Sequence, residues 1–184
     1  MKLSLIILLL LIFSKDSISQ EFGFLPGYII TNSNDTIEGL VKYANMVPYR
    51  TLIDIKFKEN EKAKTKVYPP GTIFGYMAND RIFHSLKSPD GSQFMELLVD
   101  GYIRLYRLTV TSFGVPQNGQ SADALKDYLL RSGDENLFDC KNRKFKERLA
   151  EYLSDNRVIS EKIIKGEYKK KDLIEIITEY NKSR

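Results

Sequence analysis

The chain has no tryptophan, and only one cysteine and one histidine in 184 residues. A single cysteine closes no internal disulfide. Structural zinc draws on clusters of Cys and His at close spacing, which one of each cannot supply, so a zinc site is excluded. With His84 as the only histidine, any Ser-His-Asp or Cys-His arrangement would have to use it. Its neighbours Ile82 and Leu86 share its face of an alternating strand, so it reads as a core or rim histidine. No phosphate loop is present, because Gly71-Thr72-Ile73-Phe74-Gly75 lacks a third glycine and the Lys-Ser/Thr that would follow. Asn32-Ser33-Asn34-Asp35 lacks the ligand run and closing Glu of an EF-hand loop. No cofactor is therefore expected.

After Phe13 no long apolar run follows, so no later transmembrane helix is expected. The run that does exist is N-terminal. Leu3 to Phe13 spans 11 apolar residues behind Lys2, with Ser17-Ile18-Ser19 as small residues around a cleavage point. Residues 1–19 read as a secretory signal cut before Gln20. A membrane anchor needs about 20 apolar residues, and Lys15 and Asp16 end the run well short of that. The mature chain is expected to be soluble and exported, to the periplasm, the outer-membrane face or the medium. In that oxidising setting Cys140, beside Phe138, reads as a small buried hydrophobe, with pairing between molecules as the alternative.

Charge is distributed unevenly. Residues 141–184 hold 13 Lys or Arg against 8 Asp or Glu, whereas residues 20–139 hold 13 against 15. The imbalance is too mild for nucleic acid, but a basic helical face suits anionic headgroups or an acidic partner as well as plain solvent.

Two patterns divide the chain. Up to Cys140, β-branched and aromatic runs alternate with turn residues. Tyr28–Ile30 and Thr36–Tyr43 flank Asn32-Ser33-Asn34-Asp35 as a hairpin. Leu52–Phe57, Thr72–Met77 and Arg81–Leu86 read as further strands, with breaks at Pro69-Pro70-Gly71, Asn79-Asp80 and Pro89-Asp90-Gly91. Gln93–Val99 and Tyr102–Thr111 form a hairpin on Asp100-Gly101, read as a two-residue turn. The second of these strands is partly apolar on both faces, which suits a curled sheet or one covered on both sides. Residues 112–123 read as a loop, and Lys126–Arg131 with Leu137–Cys140 as a last strand pair, with helix propensity over Ala124–Leu130 as the competing reading. After Cys140 the period becomes helical, with Phe145, Leu149, Tyr152 and Leu153, then Val158, Ile159, Ile163 and Ile164, then Leu173, Ile174, Ile176, Ile177 and Tyr180. Gly166 marks the end of the second helix. The fold class is α+β: a small antiparallel sheet over residues 20–140, with curling or barrel closure left open, then about three helices over 141–184.

Acids could act without metal or histidine, as in glycosidases. Asp35, Glu38, Asp54, Asp80, Glu96 and Asp100 are all eligible and none stands out. Asn34-Asp35-Thr36 and Asn181-Lys182-Ser183 fit the glycosylation sequon. The 11 tyrosines are the remaining signal. Tyr28, Tyr43, Tyr76, Tyr102 and Tyr106 fall on strands and would offer an amphipathic face for a peptide, a glycan or an envelope protein.

Several phrases together resemble an uncharacterised family of exported proteins widespread in the Bacteroidetes. Gly27-Tyr28-Ile29-Ile30-Thr31 with Asp35-Thr36-Ile37-Glu38-Gly39 matches its opening hairpin. Leu97-Leu98-Val99-Asp100-Gly101-Tyr102-Ile103-Arg104-Leu105-Tyr106 matches its middle. Tyr168, Asp172-Leu173, Ile176 and Tyr180-Asn181 match its closing helix. The chain departs at Ser154-Asp155-Asn156-Arg157, where the family often carries Cys-Pro after the Asp. The resemblance implies export and this architecture, and carries no activity with it. The expectation is a non-enzymatic envelope module that binds a protein or surface ligand, with a carboxylate-dependent hydrolase of glycan or peptide as the alternative.

Overall fold

The computed structural model describes residues 23–42, 54–110, 124–141 and 143–184. The expected signal, Tyr43 and the expected loop at 112–123 lie outside these residues. Among the described residues ten strands form one sheet: β1 Phe24–Ile30, β2 Thr36–Lys42, β3 Ile55–Lys58, β4 Lys66–Tyr68, β5 Gly75–Ala78, β6 Arg81–Ser88, β7 Gly91–Val99, β8 Ile103–Val110, β9 Ala124–Arg131 and β10 Phe138–Asp139. Three helices follow: α1 Phe145–Tyr152, α2 Arg157–Lys165 and α3 Leu173–Lys182, the last entered through a 3-10 turn at Lys170–Asp172. No helix among them is long and apolar enough to cross a membrane.

The strand order is β10-β9-β8-β7-β6-β5-β1-β2-β3-β4, antiparallel throughout. It runs from edge to edge, so the sheet is open, neither closed nor curled into a barrel. The two-sided apolar character of β8 has a different cause. Ile103 and Leu105 point into a core shared with Leu149, Ile163, Ile176 and Tyr180 of the helices, while Tyr106 and Leu108 join Met95 and Tyr128 on the opposite face. β8 thus buries side chains on both of its faces, with the helices covering one of them.

The helix-bearing face carries a second apolar cluster further along the sheet, built from Ile29, Val41, Ile55, Phe57, Tyr76, Phe83 and Phe94. Tyr76 stacks on Phe83 with ring centroids 4.7 Å apart and meets Phe94 edge-on at 5.0 Å. Gly39 serves this cluster. A Cβ there would lie 2.6 Å from the Phe57 ring, so only glycine lets that ring lie across β2.

Turn chemistry follows the sequence closely. Asn79 and Asp80 adopt φ of 52° and 59°, the left-handed pair that a two-residue hairpin requires. The Asp100-Gly101 hairpin differs from its expected form. Three residues, 100–102, separate β7 from β8, and β7 carries a bulge between Leu97 and Val99. The extra residue twists the strand end and leaves part of β8 without its partner on that side.

Helix ends are set by local hydrogen bonds. Asn156 caps α2 by accepting from the Ile159 N–H at 3.1 Å. Gly166, at φ 81°, closes it, with its own N–H and that of Glu167 returning to Ile163 and Lys162. Asp172 accepts from the Lys169 N–H at 2.8 Å and fixes the entry to α3. A four-layer stack fastens α1 to the β10 edge: Arg131 over Tyr152, Tyr152 on Phe138 at 4.5 Å, and Arg148 over Phe138.

Candidate functional site

The antiparallel register places a row of charges on the helix-bearing face, between its two apolar clusters. Glu96 of β7 lies directly opposite Arg107 of β8, which lies opposite Asp127 of β9. Arg81 of β6 reaches Glu96 through Nε at 2.7 Å and Nη2 at 2.5 Å. Arg107 reaches Asp127 through Nε at 2.8 Å and Nη2 at 3.3 Å. The result is an Arg-Glu-Arg-Asp ladder across four strands. The hydrogen bonds that Arg107 donates to Asp127, and then the charges of Asp127 and Glu96, hold the Arg107 guanidinium pKa above its ordinary value despite partial burial.

Two carboxylates flanking a cleft are the arrangement that glycoside hydrolysis would need, so the ladder is the place to look for it. Both carboxylates here receive paired N–H bonds from a guanidinium, the strongest geometry for holding an anion in place. Their oxygens are thereby engaged by guanidinium N–H groups within the sheet. Partly exposed pairs of this kind contribute about 0 to 1 kcal/mol each, so their main consequence is to fix cross-strand register. Asp127 was not among the acids eligible from sequence. The i, i+2 alternation of Asp127 with Leu125 and Leu129 was the signal that could have placed it on this face.

The opposite face holds the chain's one histidine. His84 is 8% exposed, and its Nδ1 shares a 2.9 Å hydrogen bond with the Tyr106 hydroxyl. The Phe74 ring lies 4.7 Å from it, and Gly75 leaves the space its imidazole occupies, since a Cβ there would sit 3.0 Å from Cδ2. Burial pushes the His84 pKa below its usual value, and the Arg104 cation pushes it further while Asp100 opposes. Burial likewise pushes the Tyr106 hydroxyl up to about 12. A neutral imidazole bonded to a neutral phenol packs a core and offers no nucleophile. The expectation of a core histidine with a satisfied hydrogen bond describes this arrangement.

The five tyrosines singled out from sequence do not share one exposed face. Tyr76 and Tyr106 are buried at 0% and 1% exposure, and they sit on opposite sides of the sheet. Tyr28 is half-buried on β1, and Tyr43 lies outside the described residues. Tyr102 is exposed at the β7–β8 turn, with the Arg184 guanidinium 4.5 Å over its ring. Alternation along separate strands gave each tyrosine a side, but only the pairing of strands decides which sides coincide.

Cys140 is 2% exposed. Burial, with Asp127 and Asp139 adding to it, pushes its thiol up to about 12. A thiol so placed is not a tether to another molecule, because the reactive species is the thiolate. The sequon at Asn181 is also spent structurally. Its Oδ1 accepts from the Ile103 N–H at 2.9 Å, and its Nδ2 donates to the Ile103 carbonyl at 2.8 Å.

Fold and side-chain arrangement together define an α+β protein, an open ten-stranded antiparallel sheet with three C-terminal helices on one end of one face. No family model, no curated protein and no solved structure matches the chain.

Proposed function

We propose that the chain is an exported, non-enzymatic binding or structural module of the cell envelope, of the kind suggested by its resemblance to exported Bacteroidetes proteins. The observation that supports this reading is the cross-strand ladder. The acids that the sheet gathers on one face, Glu96 and Asp127, are each clamped by a guanidinium, so the residues best placed for hydrolytic chemistry serve register instead. Edge strands point the same way. β4 has three residues and β10 two, so both edges of a wide sheet are short, as in sheets that resist indiscriminate pairing. Recognition then falls to surfaces rather than to a catalytic cleft.

Crosslinking in the native cells, with identification of the attached species, tests the proposal. Recovery of a reproducible envelope component supports it. Hydrolysis of a glycan or peptide panel by the purified protein, abolished by Glu96→Gln or Asp127→Asn in a folded variant, would replace it with the carboxylate-hydrolase reading.

A further inference from the structure

The helical end of the molecule carries an excess of positive charge assembled from two separate stretches. Residues 139–148 hold five Lys or Arg against two acids, and residues 165–172 hold four against two. The fold joins them. Phe145, Leu149, Tyr168 and Leu173 enter one core cluster. The Lys146 ammonium lies 2.6 Å from where a Gly166 Cβ would be, and both Arg148 and Lys170 act electrostatically on the buried Cys140 thiol. The two stretches therefore form one surface.

Part of its charge is compensated internally. Lys141 pairs with Asp139 at 3.0 Å, and Lys165 approaches Glu161 at 3.8 Å. Arg148 donates to the Asp139 carbonyl. Arg143, Lys144, Lys146, Lys169 and Lys171 are exposed and form no ion pair among the described residues. Glu147 and Glu167 are the exposed acids set among them. Asp172 is occupied by the Lys169 N–H. Cations held this close repel one another, and an external anion relieves that repulsion.

We propose that this face docks on an anionic lipid surface, reading its phosphate headgroups. The proposal deepens the envelope-module reading and rests on it. Charge complementarity supplies the occupant. Four of the five uncompensated cations are lysines, compact point charges on flexible stems that suit a dense, laterally mobile layer of phosphates. An acidic protein partner would be better matched by arginine forks, which pair bidentately with carboxylates. The same charge distribution sets an orientation. Residues 20–139 carry 13 cations against 15 anions, so the sheet is turned away from a negative surface while the helical end faces it.

The experiment uses the full chain and vesicles of phosphatidylcholine with or without about one third phosphatidylglycerol, at low and high salt. Binding through the N-terminal apolar run, including any contribution of its flanking Lys2 and Lys15, is common to wild type and both variants. The difference between the variants in the anion-dependent increment isolates the basic face. One variant carries Arg143→Gln, Lys146→Gln, Lys169→Gln and Lys171→Gln. A charge-matched control carries Lys56→Gln and Lys87→Gln in the sheet and Lys62→Gln and Lys64→Gln in the β3–β4 connection. Circular dichroism and melting confirm that both fold. At roughly fivefold per cation near such a surface, the first variant should lose on the order of several hundredfold in anion-dependent partitioning and the control much less. Absence of any preference for anionic vesicles at low salt overturns the proposal, as does equal loss in both variants. Capture of poly-glutamate without vesicle binding overturns it too, in favour of an acidic protein. Crosslinking to a protein partner is read without lipid, so the failure of this proposal and of the module reading are distinguishable.

Discussion

Asn181 ties α3 to the sheet through the backbone of Ile103, and its removal has a calculable cost. The bulge in β7 ends the β7–β8 ladder at Val99↔Leu105, two residues short of Ile103. Backbone groups alternate sides along a strand. Tyr102 turns its carbonyl toward Ser132, beyond β9, and Ile103 turns both its groups the other way, where β7 has left no partner. The Asn181 carboxamide fills that place as a surrogate strand, accepting from the N–H and donating to the carbonyl. Ile103 is fully buried, so without this amide two backbone groups lose their partners in the core. Each such orphan costs about 1 to 3 kcal/mol, which puts Asn181→Ala at about 3 kcal/mol and, for a chain of this size, roughly 6 to 12 °C in Tm. Asn181→Asp refines the test. It keeps the acceptor for Ile103 N–H but aims lone pairs at the carbonyls of Ile103 and Asp100, so its ionised form is disfavoured and its pKa rises on folding. A carboxyl whose folded pKa is raised loses stability as pH rises through the window above its unfolded value. The Asp variant should therefore gain on the Ala variant upon acidification. Urea unfolding at two pH values and amide exchange at Ile103 are the assays. A loss below about 0.5 kcal/mol for Asn181→Ala, the range of a neutral surface change, would refute the argument.

Two further expectations concern the buried reactive groups. His84 should titrate below its ordinary value by NMR, since burial and the Arg104 cation both disfavour the imidazolium. Because its folded pKa is depressed, the unfolded chain takes up the proton first, and stability should fall as pH drops below the unfolded pKa. The extra slope is at most about 1.4 kcal/mol per pH unit and should vanish in His84→Gln. A midpoint at or above the free-histidine value contradicts this. Cys140, with its thiol pushed up to about 12, should resist a thiol reagent in the native state and react fully in denaturant. Wild type and Cys140→Ser should run alike on non-reducing electrophoresis, and rapid native labelling would be the contrary result.

Much of the architecture was legible because it is written in local signals. Asn79-Asp80 at a hairpin turn, Gly166 at a helix end and the helical spacing of Ile159 and Ile163 depend on neighbours within a few residues. The β1–β2 hairpin and all three helices follow from such cues. What was not legible depends on register between distant strands. Tyr76 and Tyr106 both alternate correctly, yet one enters the cluster on the helix-bearing face and the other the cluster behind it. Asp127 became part of a ladder only because β9 pairs with β8 from Ile103↔Arg131 to Val110↔Ala124, which no single strand encodes.

The same distinction explains why the closing Tyr180-Asn181 pair carries meaning that its composition hides. Tyr180 donates to Asp155 at 2.7 Å and is itself fully buried, while Asn181 completes the Ile103 backbone. Gly101 belongs to this unit as well. Its φ of 148° and a clash with Asn181 Nδ2 at 2.5 Å from any Cβ mean that a side chain there would displace the amide. Asp100-Gly101 in the middle phrase and Tyr180-Asn181 in the closing phrase are thus two halves of one contact. These two phrases meet at a joint where α3 docks on the sheet.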